Sequence, residues 1–297
     1  MPLRRSIAPA LAAVWLTYGP PPAVAQEPVP TRPAAQAFTL GAFELVVLRD
    51  SALAVPNNGA VFGLNASPAA VAKVLDEASA STDDIRLQID ALLVRSPGHI
   101  ILIDTGFGPP AHGVLQESLA LAGVSADDIT DVLITHSHPD HVGGLVDANG
   151  RSVFRKATIR MSANEWAFMQ RQADTRLIAA AIRPQVETFE PGRPIVPGIT
   201  PLALYGHTPG HVVYEIASQG QNLRDIGDTV HSSIISLRKP DWTIQFDTDK
   251  AEGARQRRHE LQRLAATHEF IFAPYFPFPG VGHIEQTGDG FWLHAGR

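Results

Sequence analysis

Three histidines and an aspartate fall within six residues in Thr135-His136-Ser137-His138-Pro139-Asp140-His141-Val142-Gly143-Gly144, directly after the apolar run Asp131 to Thr135. The run reads as a buried strand. Extended backbone points side chains two apart in one direction, so His136 and His138 can grip one ion, and the turn that follows presents Asp140 and His141 to a second. Gly143 and Gly144 leave room for close backbone packing where the next helix begins. Four ligands on one loop cannot surround two ions, so the fold has to bring other segments to this strand end. The sequence holds three suitable groups, each closing an apolar, strand-like stretch. They are His207 in Gly206-His207-Thr208-Pro209-Gly210-His211, Asp228 in Ile226-Gly227-Asp228-Thr229, and His283 in Gly280-Val281-Gly282-His283-Ile284.

Such a site has to be built from histidine and carboxylate, because the chain contains no cysteine for thiolate ligands or disulfides. Imidazole and carboxylate suit zinc first, and cobalt, manganese or iron as well, so two divalent ions are expected without a fixed identity. A formal net charge of −6 supplies no basic footprint for nucleic acid. The basic cluster Arg255 to Arg258 fits a solvated helix face.

Export is written at the N-terminus. Arg4 and Arg5 precede the apolar run Ile7 to Leu16 and the small-residue tripeptide Ala23-Val24-Ala25, the pattern of a signal peptide over residues 1–25. The arginine pair fits either the general or the twin-arginine route. No stretch is apolar for long enough to span a bilayer, so a periplasmic or secreted protein without a membrane span is expected. Residues 26–37, rich in Pro and Ala, read as a flexible leader.

The remaining residues, 38–297, alternate strand and helix signals as one large domain. Phe43 to Leu48, Leu87 to Val94 and His99 to Ile103 are β-rich, the last two joined by Ser96-Pro97-Gly98. Ser67 can cap a helix over Pro68 to Ala80, and Ser162 another through Gln172, with a further helix over Asp174 to Ile182. Thr200 to Leu204, Val212 to Ala217 and Asn222 to Ile226 read as strands. Asp247 or Thr248 opens a helix running to Ala266, and Phe270 to Phe272 and Gly290 to Leu293 are late strands.

The succession H-x-H-x-D-H, G-H-T-P-G-H, G-D and G-H resembles the metallo-β-lactamase superfamily, over essentially everything from Phe38 onward. That resemblance implies an α/β chain folded as an αβ/βα four-layer sandwich. It also implies that His136, His138 and His207 hold one ion, that Asp140, His141 and His283 hold the other, and that Asp228 bridges both with a hydroxide. Asp140 and Asp228 are thereby expected among the catalytic residues. Two ions sharing a water lower its pKa and polarise the oxygen of the group under attack. Asp104 resembles the family's aspartate that orients ligand imidazoles, and His211 is expected to support rather than ligate. His231 lies three residues beyond Asp228, where lactonases of the superfamily can carry a tyrosine, and is the candidate for polarising the substrate.

The zinc β-lactamases use a cysteine at the position of Asp228, so a cysteine-free chain cannot follow them. The segments Gly227 to His231, Trp242 to Asp249 and Phe276 to Ile284 look like the methyl parathion hydrolase group, which unites phosphotriesterases with lactone and aryl-ester hydrolases. Phe107, Trp166, Phe168, Phe246 and Phe278 could wall an apolar pocket for such substrates. The expected activity is hydrolysis of small-molecule lactones or aryl esters, with phosphotriester (organophosphate) cleavage as a side or primary alternative. A mono-iron redox enzyme of the same fold and a non-catalytic scaffold are the competing readings, and metal content separates them. Homodimers are common in the group, which leaves a homodimer possible, although the sequence itself does not reveal the oligomeric state.

Overall fold

The apolar runs of the N-terminal half pair into a single sheet in a computed structural model that describes residues 27–296. The expected signal peptide lies outside the described residues. Strands β1 (Glu27–Pro28) and β2 (Ala35–Leu40) both lie antiparallel against the long β3 (Phe43–Pro56). Helix α1 (Pro68–Asp76) follows, and then β4 (Asp84–Ser96) and β5 (His99–Ile103) continue the sheet antiparallel. Helix α2 (Leu115–Leu121) leads to β6 (Asp131–Leu133), α3 (Pro139–Val142) to β7 (Thr158–Ser162), and α4 (Ala163–Met169) with α5 (Arg176–Ile182) to β8 (Val186–Phe189). These last strands run parallel to one another and to β5, as helical crossovers require.

The second sheet runs β14-β13-β12-β11-β10-β9 in space. Its strands are β9 (Ile199–Ala203), β10 (Val212–Ser218), β11 (Gln221–Asp225), β12 (Phe270–Phe272), β13 (Val281–Thr287) and β14 (Gly290–Ala295), with α6 (Ile235–Arg238) and α7 (Lys250–Thr267) between β11 and β12. The two sheets face each other. Leu45, Val47, Leu92, Val94 and Ile103 of the first pack with Val212, Tyr214, Ile216 and Phe272 of the second. The outer face of the first sheet buries Leu48, Leu93 and Val132 against Leu119, Met169 and Ile182, and that of the second buries Ile271 and Ile284 against Leu261 and Leu264. Two sheets each covered by helices on the far side make the four-layer αβ/βα sandwich that the sequence led us to expect. Among the described residues no helix is long and apolar enough to cross a membrane.

Two expectations are corrected here. Part of the expected leader is strand: residues 27–28 and 35–37 pair with β3, because its edge offers backbone partners even to an Ala- and Pro-rich segment. His283 does not close a strand. It sits inside β13, opposite Phe270 on one side and His294 on the other. The preceding Gly282 packs so closely on β14 that a Cβ there would come within 2.3 Å of the His294 carbonyl oxygen, which keeps the strand running past His283.

Candidate metal centre

The C-terminal ends of β6 and β11 and the loop after β12 meet at one edge of the sandwich, and the site is built there. From β6 the chain runs extended through Thr135 to His138, turns into α3, and buries His136 completely and His141 almost so. The turn is tight. A Cβ on Gly143 would lie 2.2 Å from the Phe107 carbonyl oxygen and one on Gly144 2.1 Å from that of Thr105, so only glycine lets the two loops touch.

Ligand atoms of His136, His138, His207 and Asp228 all lie within 4.8 Å of one another. His207 Nε2 is 3.1 Å from His136 Nε2 and 2.9 Å from His138 Nδ1. It is 3.2 Å from Asp228 Oδ2, which lies 3.5 Å from His136 Nε2. Three ring nitrogens so close need a proton or a cation between them, and three imidazoles with a carboxylate are a suitable donor set for a divalent ion. On the far side of Asp228, its Oδ1 is 3.0 Å from His141 Nε2, outside hydrogen-bond geometry, and remains a buried oxygen without a hydrogen-bond donor. His141 Nε2 is also 3.7 Å from Asp140 Oδ2. Asp228 therefore faces both halves of the cluster, and six of the expected residues are together: His136, His138, Asp140 and His141, expected from their spacing, and His207 and Asp228, expected from strand-end placement and the family resemblance.

His283 is not with them. It lies toward the opposite end of β12, where its Nδ1 donates to the His268 carbonyl at 2.9 Å in a separate depression lined by Leu40, Gln221 and Thr267. The loop that does reach the centre from β12 carries Tyr275, whose hydroxyl hydrogen-bonds Asp140 Oδ2 and lies 3.4 Å from His141 Nε2. His231 is also placed differently from expectation. It is wholly buried, sandwiched between the rings of Tyr275 (centroids 5.0 Å, stacked) and Phe246 (5.6 Å), with Nε2 3.2 Å from Asp228 Oδ2 and neither nitrogen hydrogen-bonded. From there it backs Asp228 and does not line the cavity.

A second ring of side chains fixes the first. Asp104 Oδ2 accepts from His141 Nδ1 at 2.7 Å and from the Thr135 hydroxyl at 2.6 Å, and Oδ1 accepts from the Thr135 amide at 2.9 Å. Its backbone takes φ of 60°, a left-handed conformation that aims the carboxylate inward. Asp247 accepts from His207 Nδ1 at 3.0 Å and from buried Arg257 at 2.8 Å. It is free to do so because Asp249, not Asp247 or Thr248, caps α7. His211 donates Nδ1–H to the Leu204 carbonyl at 2.9 Å, leaving Nε2 to accept from the Asp228 amide at 3.1 Å. Its support role is thus of the expected kind, and burial, which pushes it down to about 3, keeps it neutral.

Glu165 was not anticipated. Fully buried in α4, it accepts at Oε1 from the Ser137 amide (2.8 Å) and hydroxyl (2.6 Å), and at Oε2 from the Thr208 hydroxyl (2.6 Å) and the Gly210 amide (3.1 Å). One carboxylate therefore ties the His136–His138 loop to the His207 loop. The available signal was its place three residues after the cap Ser162, which reads equally as an ordinary capping box.

Burial works against charge on every ring in the cluster, yet the outcomes differ. His136 and His138 are held well below the usual histidine range by burial and by neighbouring imidazoles. For His207 the carboxylates of Asp228 and Asp247 outweigh burial and lift it to about 9, and His141 is lifted by Asp228 and Asp104. Burial would raise Asp228, but His141, His136 and His207 hold it well below the carboxylate range. A cation entering the cluster would displace those imidazole protons and find a charged carboxylate waiting.

The cluster forms the floor of a cavity of about 330 Å³. Leu53, Leu87, Phe107 and Phe246 wall it, and His138, Asp140, Asp228, Gln245 and Tyr275 supply its polar side. Phe107 is held by Asp50, which bulges out of β3 and accepts from the Phe107 and Leu115 amides at 2.8 and 3.1 Å. The other aromatics considered from sequence lie elsewhere: Trp166 packs on the outer helical layer and Phe278 against the inter-sheet core.

Among solved structures the chain resembles the dizinc quorum-quenching lactonase AidC, in complex with a product N-hexanoyl-L-homoserine, at TM-score 0.85 and 29% identity over 89% of this chain and 98% of that one. It also resembles hydrolase AbOPH in the beta lactamase superfamily, at TM-score 0.81 and 25% identity with the same coverages. Curated relatives match over shorter stretches. The metallo-beta-lactamase domain-containing protein 1 of Mus musculus is 54% identical over 52 residues, 18% of either chain. The hydroxyacylglutathione hydrolase of Pseudomonas entomophila is 31% identical over 141 residues, 46% of this chain and 43% of the relative. The model of the metallo-beta-lactamase superfamily matches residues 84–267, more than half the chain and the whole run from β4 through α7. This chain belongs to the metallo-beta-lactamase superfamily.

Proposed function

We propose that the protein opens lactones, and cleaves aryl esters, by adding water to the carbonyl carbon and breaking the acyl C–O bond to release a hydroxy acid or an acid and a phenol. One observation carries the reading: Asp140, His138 and Asp228 form the floor of a cavity whose walls are Leu53, Leu87, Phe107 and Phe246. That arrangement suits a small ester with an apolar acyl or aryl part, its carbonyl against the ligand cluster. The likeness to AidC, itself a dizinc lactonase, supports the same substrate class.

Two divalent ions, zinc first among the candidates, would be held by His136, His138 and His207 on one side and Asp140 and His141 on the other with Asp228 between, and when bound would activate a water and polarise the carbonyl oxygen. The chain's own contribution is positional. Asp247 and Arg257 fix the ring of His207, Asp104 fixes that of His141, and Glu165 keeps the two histidine loops together, so the ligand atoms are held in place for the ions without rearrangement. The apolar walls shed water around the ester, strengthening each charge interaction inside.

The test compares an N-acyl homoserine lactone, dihydrocoumarin, an aryl acetate and a phosphotriester side by side, using metal-loaded protein and Asp228→Ala. Turnover of lactone or aryl ester ahead of the phosphotriester, lost in Asp228→Ala, supports the proposal. Preferred turnover of the phosphotriester would replace it with organophosphate hydrolysis, and full activity in Asp228→Ala would refute the role given to Asp228.

A further inference from the structure

The first half of the cluster has three imidazoles and a carboxylate, but the second half has one imidazole, His141, and the carboxylates Asp140 and Asp228. The histidine expected to complete it lies at the other end of β12. What the structure places there is the Tyr275 hydroxyl, hydrogen-bonded to Asp140 Oδ2 and 3.4 Å from His141 Nε2. Tyr275 is 5% exposed, and its ring is fixed by stacking on His231 at 5.0 Å and by packing among Leu53, Leu87 and Ile89. Its backbone is fixed as well, because the carbonyls of Pro274 and Tyr275 accept from the Asp90 and Gln88 amides of β4. The oxygen is therefore held in place by the fold.

We propose that Tyr275 is a metal ligand, its phenol oxygen completing a second ion site of Asp140, His141 and Asp228. The hydroxyl can donate only one hydrogen bond, which goes to Asp140, and Asp228 Oδ1 beside it stays buried without a donor. A cation among these groups satisfies all of them at once. The two sites are then chemically unequal. The nitrogen-rich one suits zinc, and the one with three oxygens and one nitrogen favours a harder ion such as manganese or iron. The proposal rests on reading the cluster as a two-ion centre, and it is tested by metal binding and not by turnover.

Metal-stripped wild type, Tyr275→Phe and Tyr275→His are equilibrated with zinc alone and with manganese alone, and bound metal is counted per chain. The expected result is two ions on wild type, with the second held at least ~100-fold more weakly by Tyr275→Phe, a loss at the upper end of what a supporting contact costs. The ion retained at the first site by Tyr275→Phe reports that the variant is folded. Tyr275→His should regain the second ion and shift its preference from manganese toward zinc. Ferric wild type should show a visible phenolate-to-iron charge-transfer band that Tyr275→Phe lacks. Two ions bound unchanged by Tyr275→Phe, a single ion on wild type at saturation, or no band in the ferric wild type would each overturn the assignment. None of these outcomes decides whether the wild type hydrolyses lactones, so the two proposals fail separately.

Discussion

Glu165→Gln isolates the tie between the two ligand loops. Glu165 accepts four hydrogen bonds, two from backbone amides that cannot turn away and two from hydroxyls that can. A glutamine has one acceptor oxygen. Whichever way it lies, its NH₂ meets either the Ser137 or the Gly210 amide, donor against donor, while the hydroxyl on that side can rotate to accept. An unmet buried donor costs about 1–3 kcal/mol, and the remaining bonds lose the charge assistance that makes bonds to a carboxylate the stronger kind, so a total of about 2–4 kcal/mol is expected. In a domain of this size each kcal/mol lowers the melting temperature by roughly 2–4 °C, placing the fall at roughly 5–15 °C. Thermal unfolding followed by circular dichroism on the metal-free protein measures it directly. The same variant should lose metal faster, because His136 and His138 are no longer held in register with His207. A shift under about 2 °C with unchanged metal retention would show that Glu165 caps α4 and nothing more.

Other substitutions separate the remaining contributions. His283→Ala should keep the full metal content and the activity of wild type, whereas a lost ion would restore His283 to the centre. Phe107→Ala should raise KM for long-chain or aryl substrates by about 10-fold with kcat little changed, since about 1.5–3 kcal/mol accompanies burial of such a side chain; an equal fall in kcat would place Phe107 in the chemistry instead. Asp225 is buried, and burial together with nearby Asp104 pushes its carboxyl from 3.8 up to about 8. The native state thus holds that proton more tightly than the unfolded chain. The contribution of this group to stability is fully present below about pH 4 and falls as pH rises toward 8, by at most ~1.4 kcal/mol per pH unit. Melting curves of the metal-free protein across that range should flatten in Asp225→Asn, and an unchanged slope would mean that another group titrates.

The strand-end cluster was legible because its chemistry is local. His136, His138, Asp140 and His141 need only an extended stretch followed by a turn, and β6 with α3 supplies both. Most elements were equally readable from caps and apolar runs, as with Ser67 before α1 and Ser162 before α4. The failures came where distant pairing decides the conformation. Strand β13 exists because β12 and β14 flank it, and its own short run carries no strong local strand signal. Without β13, His283 reads as a strand-end ligand, and nothing in the local sequence marks Tyr275, which the β4 backbone holds at the true strand end. Glu165 and Asp247 were hidden for a related reason, since each looks like a helix-start residue until its partners 28 to 45 residues away, or 40 residues away, are in place.

We propose that this cluster makes the protein a metal-dependent hydrolase of lactones and aryl esters. This proposal is tested most directly by following proton release from an N-acyl homoserine lactone at constant pH, with the protein metal-loaded, then stripped by a chelator, then reloaded. Ring opening that vanishes on stripping and returns in proportion to the metal restored is the predicted result. Turnover that survives complete removal of metal, or a fully loaded protein that releases no protons from any lactone or aryl ester, would contradict it.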